Sequence, residues 1–149
     1  MLTAEKFMLE ALREAEKDEN EVPVGAVVVY EDRVIARAHN ERERGDPFAH
    51  AEMLAMREAS RVLGQRRLTG CTLYVTLEPC PMCAGALILS GVENCVFGAF
   101  DPAQGCCGSV YSLPEDPAFS HRVSCLGGVL EKKCAASLRR FFLNKRSRG

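Results

Sequence analysis

No apolar run in these 149 residues approaches the ~20 needed to cross a bilayer as a helix, which excludes a helical membrane protein. The opening residues, Met-Leu-Thr-Ala-Glu-Lys, lack the basic and apolar regions of a secretory signal, so a cytoplasmic protein is expected. No internal repeat, linker or low-complexity stretch divides the chain, and its length suits one domain over residues 1–149. Histidine is scarce: His39, His50 and His121 are the three candidates for any imidazole chemistry. Acid is nearly missing from residues 122–149, where Arg122, Lys132, Lys133, Arg139, Arg140, Lys145, Arg146 and Arg148 face Glu131 alone, a net charge of +7. Such a tail is either a footprint for nucleic acid or a solubilising helix end, and charge alone leaves both open.

Cysteine, by contrast, is plentiful at eight residues. A chain of this size, with ordinary core composition and no signal, is expected to keep them as thiols. Cys71 and Cys95 sit in apolar strand-like runs and Cys134 in a helix-like one, as small core residues do. Cys106 and Cys107 are adjacent in a Gly-rich loop and read as incidental thiols, with a second metal site as the alternative.

Apolar periodicity predicts a helix over residues 3–18, capped by Thr3, with Phe7, Met8, Ala11, Leu12 and Ala15 on its inner face. Residues 22–30 read as a strand whose partner returns over 33–38. A loop at 40–47 leads to a helix over 48–63, with Met53, Met56 and Leu63 turned inward. Residues 71–77 form a buried strand, and Pro81 suits the first turn of a helix over 81–89. A strand at 95–99, a Gly-rich loop at 101–109, a strand at 121–126 and a basic helix at 130–142 follow. The alternation indicates a three-layer α/β domain, its sheet largely parallel after the initial hairpin.

Cys80-Pro-Met-Cys83 places two sulfurs at a helix start, where i and i+3 lie on one side and the terminal partial charge favours thiolates. A redox pair needs no further ligand; a closed structural zinc site needs two more cysteines or histidines. His50 also stands at a predicted helix start, and two residues on Glu52 places a carboxylate on a mostly apolar helix. His50, Cys80 and Cys83 supply three ligands and leave a fourth position for water, the pattern of catalytic zinc. Glu52 then has a purpose beside that water, moving protons without binding metal.

His50-Ala-Glu52 with Pro79-Cys80-Pro-Met-Cys83 matches the H-x-E…P-C-x-x-C signature of zinc-dependent nucleobase deaminases. Asp46-Pro-Phe-Ala-His-Ala-Glu52, Thr72-Leu-Tyr-Val-Thr-Leu-Glu-Pro-Cys80 and Val96-Phe-Gly-Ala-Phe-Asp101 resemble the bacterial tRNA-specific adenosine deaminases. Gly108-Ser109, His121-Arg-Val123 and the Phe141-Phe142 pair extend the resemblance over nearly the whole chain. Phe100 and Ser120 depart from that pattern, a polar residue and an asparagine being usual there. The resemblance implies a cytidine-deaminase-like α/β/α sandwich with a five-stranded mixed sheet, working as a homodimer with one Zn²⁺ per subunit. It implies conversion of adenosine at the wobble position of an anticodon (position 34) to inosine, typically in an arginine tRNA with an ACG anticodon. It assigns zinc to His50, Cys80 and Cys83, proton transfer to Glu52, the adenine to Asn40, neighbouring nucleotides to Asp101 and His121, and the stem-loop to Phe142 and the basic tail. The rival expectations are deamination of a free base or nucleoside (guanine or a cytosine compound), a non-catalytic zinc-stabilised RNA-binding module and, more remotely, a redox CxxC.

Overall fold

The computed structural model describes residues 2–148 and has ten elements, one of them a short 3₁₀ turn at Arg42–Arg44. The helices are α1 (Thr3–Ala15), α2 (Ala51–Leu63), α3 (Pro81–Ser90) and α4 (Glu131–Arg148); the strands are β1 (Gly25–Tyr30), β2 (Arg33–His39), β3 (Cys71–Leu77), β4 (Asn94–Ala99) and β5 (Ser124–Leu126). They form one five-stranded sheet in the order β2-β1-β3-β4-β5. Alternate residues of β1 go to opposite faces, as strand geometry requires. Ala26 and Val28 join α2 and α3 in one core; Val27 and Val29 join α1 and Cys134 of α4 in the other. The expected three layers are therefore present, and Cys71, Cys95 and Cys134 are core residues as read.

The sheet is mixed in a specific way. β1 pairs antiparallel with both β2 and β3, while β3, β4 and β5 are mutually parallel. The strands after the hairpin are thus parallel to one another, as expected, with the single antiparallel junction at β1–β3. Because β2 opposes β1 and β1 opposes β3, β2, β3, β4 and β5 all point the same way. Their C-terminal ends share one edge of the domain, where ligands of open α/β sheets collect.

Boundaries moved for local reasons. Thr3 is the first helical residue and Leu2 the N-cap, without a side-chain cap, so the reading of Thr3 as cap does not hold. α1 stops at Ala15, where the N–H of Lys17 turns back to the Glu14 carbonyl. Glu31 and Asp32 both have positive φ (49° and 63°), the twist a two-residue hairpin needs. α2 begins three residues later than expected, with His50 as N-cap. β5 is confined to residues 124–126 because Val123 donates its N–H to the Pro114 carbonyl instead of to the sheet. α4 runs to Arg148 rather than stopping at Phe142; the Arg148 side chain in the basic tail lies outside the described residues. Gly25 admits α1: a Cβ there would lie 2.0 Å from the Ala11 carbonyl oxygen.

Candidate active site

Two helix N-termini meet at the C-terminal edge of the sheet. His50 caps α2 and Cys80 caps α3, each in extended conformation with no side-chain cap bond of its own. Pro81 occupies the first turn of α3, where its missing N–H costs nothing, and Cys83 follows one turn along. The His50 Nδ1 lies 3.6 Å from the Sγ atoms of both Cys80 and Cys83. The three ligand atoms all fall within 4.8 Å of one another, the spacing of donors around a single ion. They form the group of convergent metal-ligating atoms found among the described residues; Cys106 and Cys107 are buried in the core and do not join it. An imidazole and two sulfurs suit zinc, and three ligands leave a coordination position for a water or substrate.

Charge at the cluster is divided unequally. The Cys83 thiol donates toward Cys80 and holds the Cys80 thiol down at about 5, with backbone N–H groups of Cys83 and Met82 adding to the effect and burial opposing it. Cys83 is pushed far up by the same contact, then by burial and the nearby charges of Glu52 and Cys80. Glu52, in the first turn of α2, is 4% exposed. Burial drives its carboxyl up to about 7, helped by the charge on Cys80 and offset by its own backbone N–H and by Cys83. A buried carboxyl poised near neutrality beside a metal-ligand set is suited to proton transfer.

Asn40 follows β2 and is buried; its Oδ1 accepts the Ala51 N–H at 2.8 Å. It thereby satisfies an open donor at the start of α2 that His50 leaves unfilled. Because Oδ1 is committed, the amide offers donors from Nδ2 to anything bound beside His50. Asp101 lies two residues beyond β4 at the same edge. Its Oδ1 accepts the N–H groups of Ala103 (3.1 Å) and Gln104 (3.2 Å), folding a local turn.

The other two expected contacts lie apart from the ligand cluster. His121 donates from Nε2 to the Val92 carbonyl at 2.8 Å. Val92 precedes β4 and Asp101 follows it, so a six-residue strand, about 20 Å long, separates those anchors. Phe142 is 46% exposed on α4, edge-on to Phe141 at 5.3 Å, on the α1 face of the sheet. Phe141, Arg140 and Asn144 line a cleft with Glu19, Glu21 and Pro23, the segment entering β1.

Glu78, quoted in the motif but given no role in the sequence reading, is 2% exposed and accepts four hydrogen bonds, all from residues 101–109. Although burial alone raises a carboxyl, the donors from Ser109, Asp101 and Cys107 outweigh it and hold Glu78 below its usual range. A charged residue between Leu77 and Pro79 at a buried strand end was the available signal.

Comparison with known proteins follows the same lines. Residues 1–99 match the cytidine and deoxycytidylate deaminase zinc-binding region. The chain is 52% identical over 151 aligned positions to a tRNA-specific adenosine deaminase of Bacillus subtilis (strain 168), covering 99% of this chain and 94% of that one. A tRNA-specific adenosine deaminase of Aquifex aeolicus (strain VF5) is 50% identical over 122 positions, 80% of this chain and 81% of its own. A solved structure from work on A-to-I editing by tRNA:A34 deaminases at the wobble position superposes with a TM-score of 0.84 at 43% identity, over 89% of this chain and 99% of its own. By the family match over residues 1–99 and the relatives alike over nearly its whole length, this chain belongs to the tRNA-specific adenosine deaminases, within the zinc-binding cytidine and deoxycytidylate deaminase family.

Proposed function

We propose that this protein hydrolytically deaminates the wobble adenosine, position 34, of a tRNA anticodon to inosine, releasing ammonia. The observation that carries the reading is the buried Glu52 carboxyl beside three convergent ligand atoms, in a chain 52% identical to a tRNA-specific adenosine deaminase. His50, Cys80 and Cys83 hold one zinc per subunit. Zinc held by these ligands would supply Lewis acidity, making water at the open position available as a nucleophile near neutral pH. Glu52 takes the first proton from the attacking water and delivers it to N1 of adenine as C6 gains oxygen. It then moves that oxygen's remaining proton to the departing amino group, so one water enters and one ammonia leaves.

Asn40 orients the purine through Nδ2 and Asp101 meets a flanking nucleotide, while His121, anchored at the far end of β4, meets the tRNA away from the target base. An unpaired loop base is extruded cheaply, which suits a small domain without duplex-opening machinery. Phe142 and the basic end of α4 hold the stem-loop, drawn from an arginine tRNA with an ACG anticodon, in the cytoplasm. Two copies pair through α2 and α3, a reading supported by Leu89, 83% exposed on α3 beside a groove lined by Met53, Met56 and Ala86. The deciding assay measures inosine in an ACG-anticodon arginine stem-loop, with guanine, cytidine and deoxycytidylate in parallel. Turnover of a free base without inosine in the stem-loop refutes the proposal. Sedimentation velocity tests the dimer.

A further inference from the structure

Glu78 stands two residues before the ligand Cys80, at the end of β3, and the proton-transfer chemistry does not use it. Its Oε1 accepts the Asp101 N–H at 3.0 Å and the Ser109 hydroxyl at 2.5 Å. Its Oε2 accepts the N–H groups of Cys107 at 3.1 Å and Ser109 at 2.9 Å. One carboxylate thus collects four neutral donors, all from a segment of nine residues that has no helix or strand of its own beyond an isolated bridge at Cys107. A parallel tie joins the Pro79 carbonyl to the Cys106 N–H at 2.9 Å.

The loop closes around the carboxylate at backbone distance. A Cβ on Gly105 would sit 2.3 Å from the Glu78 carboxyl carbon, so only glycine lets the chain pass. A carboxylate suits this place because both oxygens present lone pairs; a carboxamide would turn one N–H₂ group toward N–H donors. Asp101 is fixed at two points: its N–H by Glu78, and its Oδ1 by the turn through Ala103 and Gln104. The position of the loop is therefore referenced to the segment carrying Cys80 and not to regular structure within the loop.

We propose that Glu78 is a positioning residue for the nucleic-acid substrate: by bolting residues 101–109 to the Cys80 segment, it sets where the anticodon loop lies relative to the metal centre. The inference rests on the reading of this chain as an RNA deaminase with Asp101 facing the substrate. Its consequence is that loosening the bolt weakens substrate capture while leaving the chemical step in place.

The test uses the full zinc-loaded chain as Glu78→Gln and, as a milder change, Ser109→Ala, which removes one of the four bonds. Loss of a buried charged hydrogen bond corresponds to about a tenfold effect. KM for the anticodon stem-loop rises about tenfold in Glu78→Gln and about threefold in Ser109→Ala. In both, kcat stays within about threefold and the zinc-to-protein ratio is unchanged. Amide hydrogen exchange at Asp101, Cys107 and Ser109 accelerates about tenfold or more in Glu78→Gln, a readout that needs no substrate. Unchanged exchange overturns the anchor. Faster exchange with unchanged KM overturns the positioning role, as does loss of zinc or of kcat at constant KM. If Glu78→Gln does not fold, Ser109→Ala decides by the same criteria. A wild-type chain that makes no inosine refutes the RNA-deaminase reading instead and takes the positioning role with it, while the exchange data still report on the anchor.

Discussion

The metal-ligand cluster and the residues proposed to meet nucleic acid hold their positions by different means. His50, Cys80 and Cys83 are fixed by two helix starts, and Glu52 is buried within the first turn of α2. Asp101 and His121 are placed by hydrogen bonds in loops, and Phe142 stands half in solvent on a surface helix. Chemistry that tolerates little displacement is built from regular elements, where backbone geometry sets side-chain direction. The residues proposed to meet RNA stand instead on loops and on one exposed helix face, where surface chain tolerates change more readily.

That contrast can be broken or sharpened by substitution. The largest effect is expected for Cys83→Ala, which removes a zinc ligand at the buried end of the cluster. Zinc content and inosine formation should both collapse, and elemental analysis that finds full zinc would undo the ligand assignment. Glu52→Ala should lower kcat by ~10²–10⁴ while zinc content and Tm hold, since the carboxyl acts without binding metal. Unchanged turnover would remove it from the mechanism. Asn40→Ala straddles the two regions. We expect about tenfold to a hundredfold lower kcat/KM, together with ~1 kcal/mol less stability because Oδ1 also caps α2; denaturant unfolding separates the two losses. Truncation after Leu138 should spare kcat yet weaken stem-loop binding about tenfold, and its salt dependence should flatten as phosphate contacts are lost. Phe142→Ala is expected to cost least, a few-fold in KM, in keeping with one half-exposed ring. A tail truncation that abolished kcat would erase the distinction between the two regions.

The same contrast explains what the sequence made legible. Cys80 and Cys83 could be read because i, i+3 at a proline-marked helix start has a fixed geometry, and Glu52 because a charge on an apolar helix demands a reason. The strand at 71–77 and the sandwich layers followed from apolar alternation in the same way. Glu78 was passed over because its partners are backbone N–H groups, which leave no mark on residue identity. Asn40 was assigned to the base by resemblance, and its second task, capping α2 from eleven residues away, was invisible for the same reason. The strand expected from residue 121 begins at 124, because a competing hydrogen bond from Val123 to Pro114 is a tertiary event.

The shared direction of β2, β3 and β4 has a consequence for how such a domain can diverge. Asn40, the Cys80 segment and the Asp101 loop leave from the ends of three different strands at one edge of a finished sheet. Each is a separate attachment on a common platform, so residues can be inserted, removed or exchanged in one without re-registering the others. A new substrate can then be met by recasting the Asp101 loop alone, provided that whatever replaces it still supplies donors to the carboxylate at its root.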